Sequence, residues 1–284
     1  MTVVTTPTTG GAWSPDVQLF APADAVPNAL ILECSTVAGS IEGDDPAVRV
    51  AYIDDDDAQF TAEGSEIPEA EPQLAEVLVH TAKITQLVRV STEQYSQEST
   101  AKQLSASVAR AITRRADLAF VAEPAPTAPA VAPVAGILNV PGIIEGDPVV
   151  GNLDALVDLL AEMQNNLAVP SHILVGPKMW AELRKLKVGG DGINESLLGA
   201  GVTDAEPRLL SLPVLVNPAL PEGKGLVVDR NAIVSAVGDV KVASSEHQYF
   251  TSDSVALRAT FRLGHVVVRP DRIGSFTIGD AGSI

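Results

Sequence analysis

Apolar and polar side chains alternate along Ala47–Ile53 (AVRVAYI) and again from Leu74 (LAEVLVHTAKI), the two-residue period of half-buried strands. A long acidic connection joins the runs, so residues 46–82 are predicted as one large hairpin. Ser91 followed by Gln94 has the spacing of a capping box. Beyond it Leu104, Val108, Ala111, Ile112 and Leu118 recur close to helical spacing. One long helix, or two end to end, is predicted over 91–118, and about 25 residues of it would span on the order of 38 Å at 1.5 Å per residue. The run Glu123–Ala135 holds four prolines and suits neither a helix interior nor a central strand. Beyond it the pattern turns to α/β over 124–236. A helix is predicted from about Leu153 to Leu167, a strand at HILVG, a helix at PKMWAELRKL, and short strands at PVLVN, GLVVD and AIVSAV.

From residue 237 to 284 strands return, at QYFTSDSVALRATFRLGHVVVR and SFTIG, with Val255, Leu257, Ala259, Phe261 and Leu263 in alternation. They are expected to pair with the early hairpin and cover the long helix. Residues 1–45 carry Pro7, Pro15, Pro22 and Pro27, which forbid a continuous helix and predict an extended arm, with ALILECSTVAG as a short strand inside it. The whole reads as an α+β fold without an internal repeat of fixed period.

Composition narrows this picture. Hydrophobic residues make up 46% of the chain but aromatics only 4%, so the core must be built from Ala, Val, Leu and Ile. The 36 acids against 19 bases give a formal charge of -17, which argues against a reader of DNA sequence, since the average surface repels phosphate. It is compatible with a container whose lining does not hold its cargo. Nine acids and no Lys or Arg lie between Val50 and Val79, so that segment is expected not to neutralise itself. The densest basic patch is Arg110, Arg114 and Arg115 on the long helix.

Candidate chemistry is sparse. There is no G-x-S-x-G elbow, no phosphate-binding P-loop and no H-E-x-x-H pair. Gly189–Gly192 reads as a flexible loop, and Asp54–Asp57 as a solvated turn, because it lacks the interleaved glycine and closing Glu of a calcium loop. The lone Cys34 and the scattered His80, His172, His247 and His265 offer no ligand spacing for a metal, and no cofactor is expected. Cys34 is expected as a small buried hydrophobe, the histidines as ordinary hydrogen-bonded or exposed groups. Asn194–Ser196 is a glycosylation sequon without meaning in the absence of secretion. The start MTVVTTPTTGGAW is no signal peptide, and no apolar run reaches membrane-spanning length, so a soluble, cytoplasmically made protein is expected.

Four stretches in order then carry a resemblance: the hairpin running into KITQLVRVSTE, the helix ending ITRRADLAFV, the segment GILNVPGI after the prolines, and the closing FTSDSVALRATFRLGHVVVRPDRIGSFTI. Taken together they resemble the major capsid proteins of tailed bacteriophages, the Hong Kong ninety-seven fold. The resemblance implies an N-terminal arm (1–45), an E-loop hairpin (46–82), a peripheral domain with a spine helix (83–123), an α/β axial domain (124–236) and peripheral return strands (237–284). It implies a structural, non-enzymatic subunit of pentamers and hexamers, building an icosahedral shell in the host cytoplasm around double-stranded DNA that it does not read. Candidate partners are further copies of itself and scaffolding, portal and decoration proteins.

The charge pattern then suggests intersubunit contacts: Asp54, Asp55, Asp56, Asp57, Glu63, Glu66, Glu69 and Glu71 of one hairpin against Arg110, Arg114 and Arg115 of the next copy. The founding member of that family cross-links an E-loop lysine to an asparagine. Here the hairpin has no lysine before Lys83 and no asparagine follows Asn231, so monomer rather than ladders is expected on denaturing gels. Two other readings stay open. An encapsulin-type nanocompartment shares the fold but resembles its relatives in starting with an amphipathic helix, which the Pro- and Thr-rich start here lacks. The other is an α/β enzyme with an unrecognised site.

Overall fold

In the computed structural model, which describes residues 17–20, 22–41, 44–54, 60, 73–95, 98–186 and 207–279, the alternating runs form strands where expected. In chain order come β1 (Val17–Phe20), α1 (Pro22–Ala25), α2 (Leu30–Cys34), β2 (Thr36–Ser40), β3 (Ala47–Asp54), β4 (Gln73–His80), β5 (Ala82–Ser91), α3 (Thr92–Tyr95) and α4 (Glu98–Ala122). After the proline-rich stretch come β6 (Ile144–Glu145), α5 (Asp154–Asn165), β7 (His172–Val175), α6 (Pro177–Lys185), β8 (Arg208–Leu209), β9 (Leu212–Val216) and β10 (Lys224–Val228). The last strands are β11 (Ile233–Val237), β12 (Val240–Tyr249), β13 (Ser254–Val267) and β14 (Gly274–Thr277). Gly189–Gly192 and Asn194–Ser196 lie outside the described residues.

One sheet runs β1-β12-β13-β11-β2, with β5 also paired to β13; a second runs β6-β14-β10-β7-β9-β8; β3 and β4 form a sheet of two. Two strands sit elsewhere than expected. AIVSAV, predicted within the α/β part, is β11 and lies in the first sheet between β13 and β2. SFTIG, predicted among the returning strands, is β14 and pairs with β10 in the second. Every residue of β11 is buried, so it has no alternation to betray its sheet, and long-range pairing rather than local pattern decides membership. β13 pairs with β5, the continuation of the hairpin's second strand beyond Thr81, rather than with the hairpin itself.

Part of the predicted arm is folded otherwise than expected. ALILECSTVAG is divided: Leu30–Cys34 is helical and only Thr36–Ser40 is a strand. Ala29, Leu30, Ile31 and Cys34 are buried against α4 and the first sheet. An apolar cluster this dense gains more from core burial than from an extended path over the surface.

Of the predicted long helix the structure describes α3 and α4, and Ser91 caps α3: the Gln94 N–H donates to its Oγ at 3.3 Å. On α4 the buried stripe is Val108, Ile112, Ala116 and Phe120, a spacing of four that turns one face to the sheet. Leu118, expected in that stripe, is 42% exposed, and Ala111 is exposed as well. Leu118 lies two residues, about 200° of rotation, from Ala116, which points it away from the core.

Within the same helix Asp117 is buried. Its Oδ1 accepts the Leu30 N–H at 2.8 Å and its Oδ2 the Asn217 Nδ2–H at 2.8 Å. Ala29 at the start of α2 has no capping side chain of its own, so Asp117 caps that helix from across the core. Burial pushes its carboxyl above the ordinary range, with the two donors pulling the other way. Replacing Asp117 with alanine strands the Leu30 N–H and is expected to lower unfolding free energy by about 2 kcal/mol, with Asp117→Asn costing less. Urea unfolding of the two variants checks this, and equal losses would contradict the capping role.

Candidate functional site

The hairpin is fixed at its root. β3 and β4 pair antiparallel from Ala47–His80 to Asp54–Gln73, a ladder roughly 25 Å long. At its base the Thr81 N–H donates to Pro46 O at 2.8 Å and the Thr81 hydroxyl to Asp45 O at 2.6 Å. The Arg262 Nη1 donates to Thr81 Oγ1 at 2.9 Å and to Asp45 O at 3.3 Å. Val50 and Val79 bury themselves against Val234 and Ala236. Thr81 is buried at the base, while Leu78, on the other face of the ladder from Val79, is exposed, as is Phe60 beyond the ladder.

Asp54 ends β3 opposite Gln73; Asp55, Asp56, Asp57, Glu63, Glu66, Glu69 and Glu71 lie outside the described residues. The expectation that the hairpin does not neutralise itself needs one correction. Arg49, just before the counted segment, lies 3.5 Å from Glu76 on the facing strand. Both side chains are largely exposed, so this pair contributes little.

The three helix arginines are not equivalent. Arg115 grips Glu123 of its own chain with two hydrogen bonds, at 2.6 and 2.9 Å. The bond to Glu123 raises the guanidinium pKa further above its already high value. Arg110 and Arg114 remain exposed on a shallow groove that also holds Thr113, Asp117 and Asn217.

A denser basic surface lies on the first sheet. Register places Lys83 opposite Arg262, Leu87 opposite Arg258, and Arg89 opposite Ala256. On the other side Lys241 faces Thr260. The core-facing positions of these strands, Ile84, Val88, Ala259, Phe261 and Val242 among them, pack beneath α4. Alternation therefore turns Lys83, Arg89, Lys241, Arg258 and Arg262 to the opposite face. No acid occupies an outward position on the described strands β5, β12 and β13 between Lys241 and Ser245, Lys83 and Arg89, or Ala256 and Arg262. Asp44 stands at the rim, 3.9 Å from both Lys83 and Arg262, and Asp239 lines the same cleft. Arg89 lies over the Tyr249 ring, 4.7 Å from its centroid. The K-x-T-x-L-x-R of β5 and R-x-T-x-R of β13 were present in the sequence, but only pairing puts them side by side.

Other reactive groups are withdrawn from solvent. Cys34 is buried, and burial together with Glu33 and Asp117 pushes its thiol well above the usual range. His265, expected as an ordinary histidine, is fully enclosed and held down to about 4 by burial. Among the described residues no group of three or more His, Cys, Asp or Glu is placed to hold a metal ion, and no helix is long and apolar enough to cross a membrane.

A model of the phage capsid family matches residues 35–277. No curated protein matches the chain. Among solved structures, one called "Capsid of empty GTA particle computed with C5 symmetry" superposes with a TM-score of 0.67 at 16% identity, covering 98% of this chain and 95% of its own. Gordonia phage Cozz gives 0.65 at 15% identity over 88% and 86%, and Microbacterium phage Oxtober96 gives 0.64 at 15% over 98% and 96%. At these identities the likeness is one of fold.

Proposed function

This chain belongs to the phage capsid family, and from that premise we propose that it is the major head subunit of a tailed-phage shell, assembling as pentamers and hexamers around double-stranded DNA. Proteins of this kind are structural, and the reading gives the chain no catalytic role. The second sheet with α5 and α6 acts as the axial part around the five- and six-fold axes. The first sheet with α4 acts as the peripheral part, and β3–β4 as the loop that reaches a neighbour. The shell is assembled in the host cytoplasm and becomes the virion head, with scaffolding, portal and decoration proteins as its further partners.

The observation that carries this reading is the hairpin. Among the described residues its root alone is built into the body, through Thr81, Val50 and Val79, while Leu78 on the opposite face of the ladder and Phe60 beyond it are exposed. Apolar side chains left in water on a projecting arm are stabilised by a second surface. Purified full-length chain is expected to elute from size-exclusion columns as capsomers or megadalton particles, and electron microscopy should show closed shells built of five- and six-fold capsomers. A small, compact oligomer under all assembly conditions would overturn the reading.

A further inference from the structure

The resemblance alone points the acidic hairpin toward the helix arginines, yet the fold exposes a second basic surface with more cations on it. We propose that the outward face of β5, β13 and β12 receives the acidic segment 54–71 of a second copy, held by Lys83, Arg89, Lys241, Arg258 and Arg262. This proposal rests on the shell-subunit reading above and gives that subunit its docking site.

Charge is the first ground. Five of the chain's 19 bases stand together on one sheet face, in a protein of net charge -17. Asp44 and Asp239 at the rim offset part of this beside Lys83 and Arg262. Arg258 is exposed and has no ion pair among the described residues. Gathering five like charges costs free energy unless an anionic partner covers them. Segment 54–71 supplies eight acids and no base. On the helix, by comparison, Arg115 is already bound to Glu123, which leaves two arginines.

Direction is the second ground. Thr81 is the point from which β4 and β5 diverge. β5 leaves it along Leu263 to Ser254. β4 arrives from the other side, where Val79 packs with Val266 and Val268. A hairpin rooted there runs away from the basic face of its own chain, so its acids are offered to another copy. Only a second chain brings the two complementary surfaces together.

Apolar content selects protein over nucleic acid as the occupant. Leu87, 52% exposed, sits in the middle of the cations, directly opposite Arg258 in the ladder. The acidic segment carries Phe60, which is fully exposed. A phosphate backbone has no use for an exposed leucine, whereas an acidic peptide with one aromatic anchor satisfies both kinds of group.

The test is charge reversal in the full-length chain. Arg89→Glu with Arg258→Glu is expected to reduce particle yield at least tenfold while the unassembled subunit stays folded, its unfolding midpoint lowered by no more than the loss of the Arg89–Tyr249 ring contact. Adding Asp55→Lys, Asp56→Lys and Asp57→Lys to that chain should restore particles. Arg110→Glu with Arg114→Glu should leave yield normal. Wild-type assembly should weaken as salt rises from 0.05 to about 0.5 M, over which the Debye length falls severalfold. Normal yield from the sheet variant overturns the proposal, and if its particles carry less nucleic acid the face belongs to phosphate instead. Loss of yield that the lysine hairpin does not rescue also overturns it, as does dependence on Arg110 and Arg114 in place of the sheet. Should the wild type form only small oligomers, the shell reading fails. The docking is then scored by whether the sheet variant drops out of those oligomers.

Discussion

Replacing Gly264 with alanine is expected to destabilise the unassembled subunit by about 3 kcal/mol, the upper end of the cost of overpacking, and to abolish particle formation with it. A Cβ at this position would stand 2.2 Å from the His80 carbonyl oxygen and 2.9 Å from its carbon, with Thr81 Cα at 3.1 Å. These are backbone atoms of the hairpin root, and no rotamer change relieves the contact. The root would have to lift off β13. Lifting it breaks the bonds of Thr81 to Asp45 and Pro46 and of Arg262 to Thr81, the fixtures that aim the hairpin. Gly151 provides the contrast, with φ of +72° and nothing within 4 Å of an added Cβ. Gly151→Ala pays only left-handed backbone strain, about 1 kcal/mol, and should assemble normally. Guanidinium unfolding and particle yield measure both effects. Equal costs at the two glycines would mean that close approach at the hairpin root is not what Gly264 provides.

That contact could not be read from the sequence, and the reason is general to this fold. What was legible was local. The alternation of AVRVAYI and LAEVLVH fixes strands because a half-buried ladder demands a period of two, and Ser91 with Gln94 fixes a helix start because an N-terminal N–H needs an acceptor. The ordered set of elements was then enough to point to the capsid fold. What was hidden depends on partners far along the chain. β11 is buried on both faces and gives no hint that it joins β13 and β2; Leu30–Cys34 reads as apolar in any conformation, and becomes a helix where Asp117 caps it from 87 residues away. The same holds for the site. Arg115 looked like part of an open basic patch until the chain turned Glu123 back against it eight residues later. Lys83 and Arg89 form a surface with Arg258 and Arg262 only because β13 pairs with β5. Charges on a strand become a surface only through register, which one sequence does not print.

Acidification from pH 7 is expected to weaken the subunit well before its carboxylates titrate, because of His265. Its ring is fully enclosed and meets Phe120 edge-on with centroids 5.0 Å apart. Its Nε2 lies 3.1 Å from the Ala135 carbonyl, which as an acceptor requires the proton on that nitrogen, while Nδ1 has no partner among the described residues. A second proton would go to Nδ1 and place a charge in an apolar enclosure. The cleft beside it is lined by Lys83 and Arg115 and by no carboxylate among the described residues. Burial accordingly lowers the folded-state value to about 4 from an ordinary 6.5. Between those values the unfolded chain binds the proton and the folded chain does not. The stabilisation is therefore complete above pH 6.5 and is lost as pH falls toward 4, with a slope of at most about 1.4 kcal/mol per pH unit and a total on the order of 3 kcal/mol. His172, also lowered by burial, adds in the same direction. Asp117, whose carboxyl is raised, works against it. The difference between wild type and His265→Gln isolates the one ring: the variant starts less stable at pH 7, through poorer packing on Phe120, and loses less on the way to pH 4. Urea unfolding at half-unit steps gives both curves. If they run parallel from pH 7 to 4, His265 is not the group that sets the acid limit of this subunit.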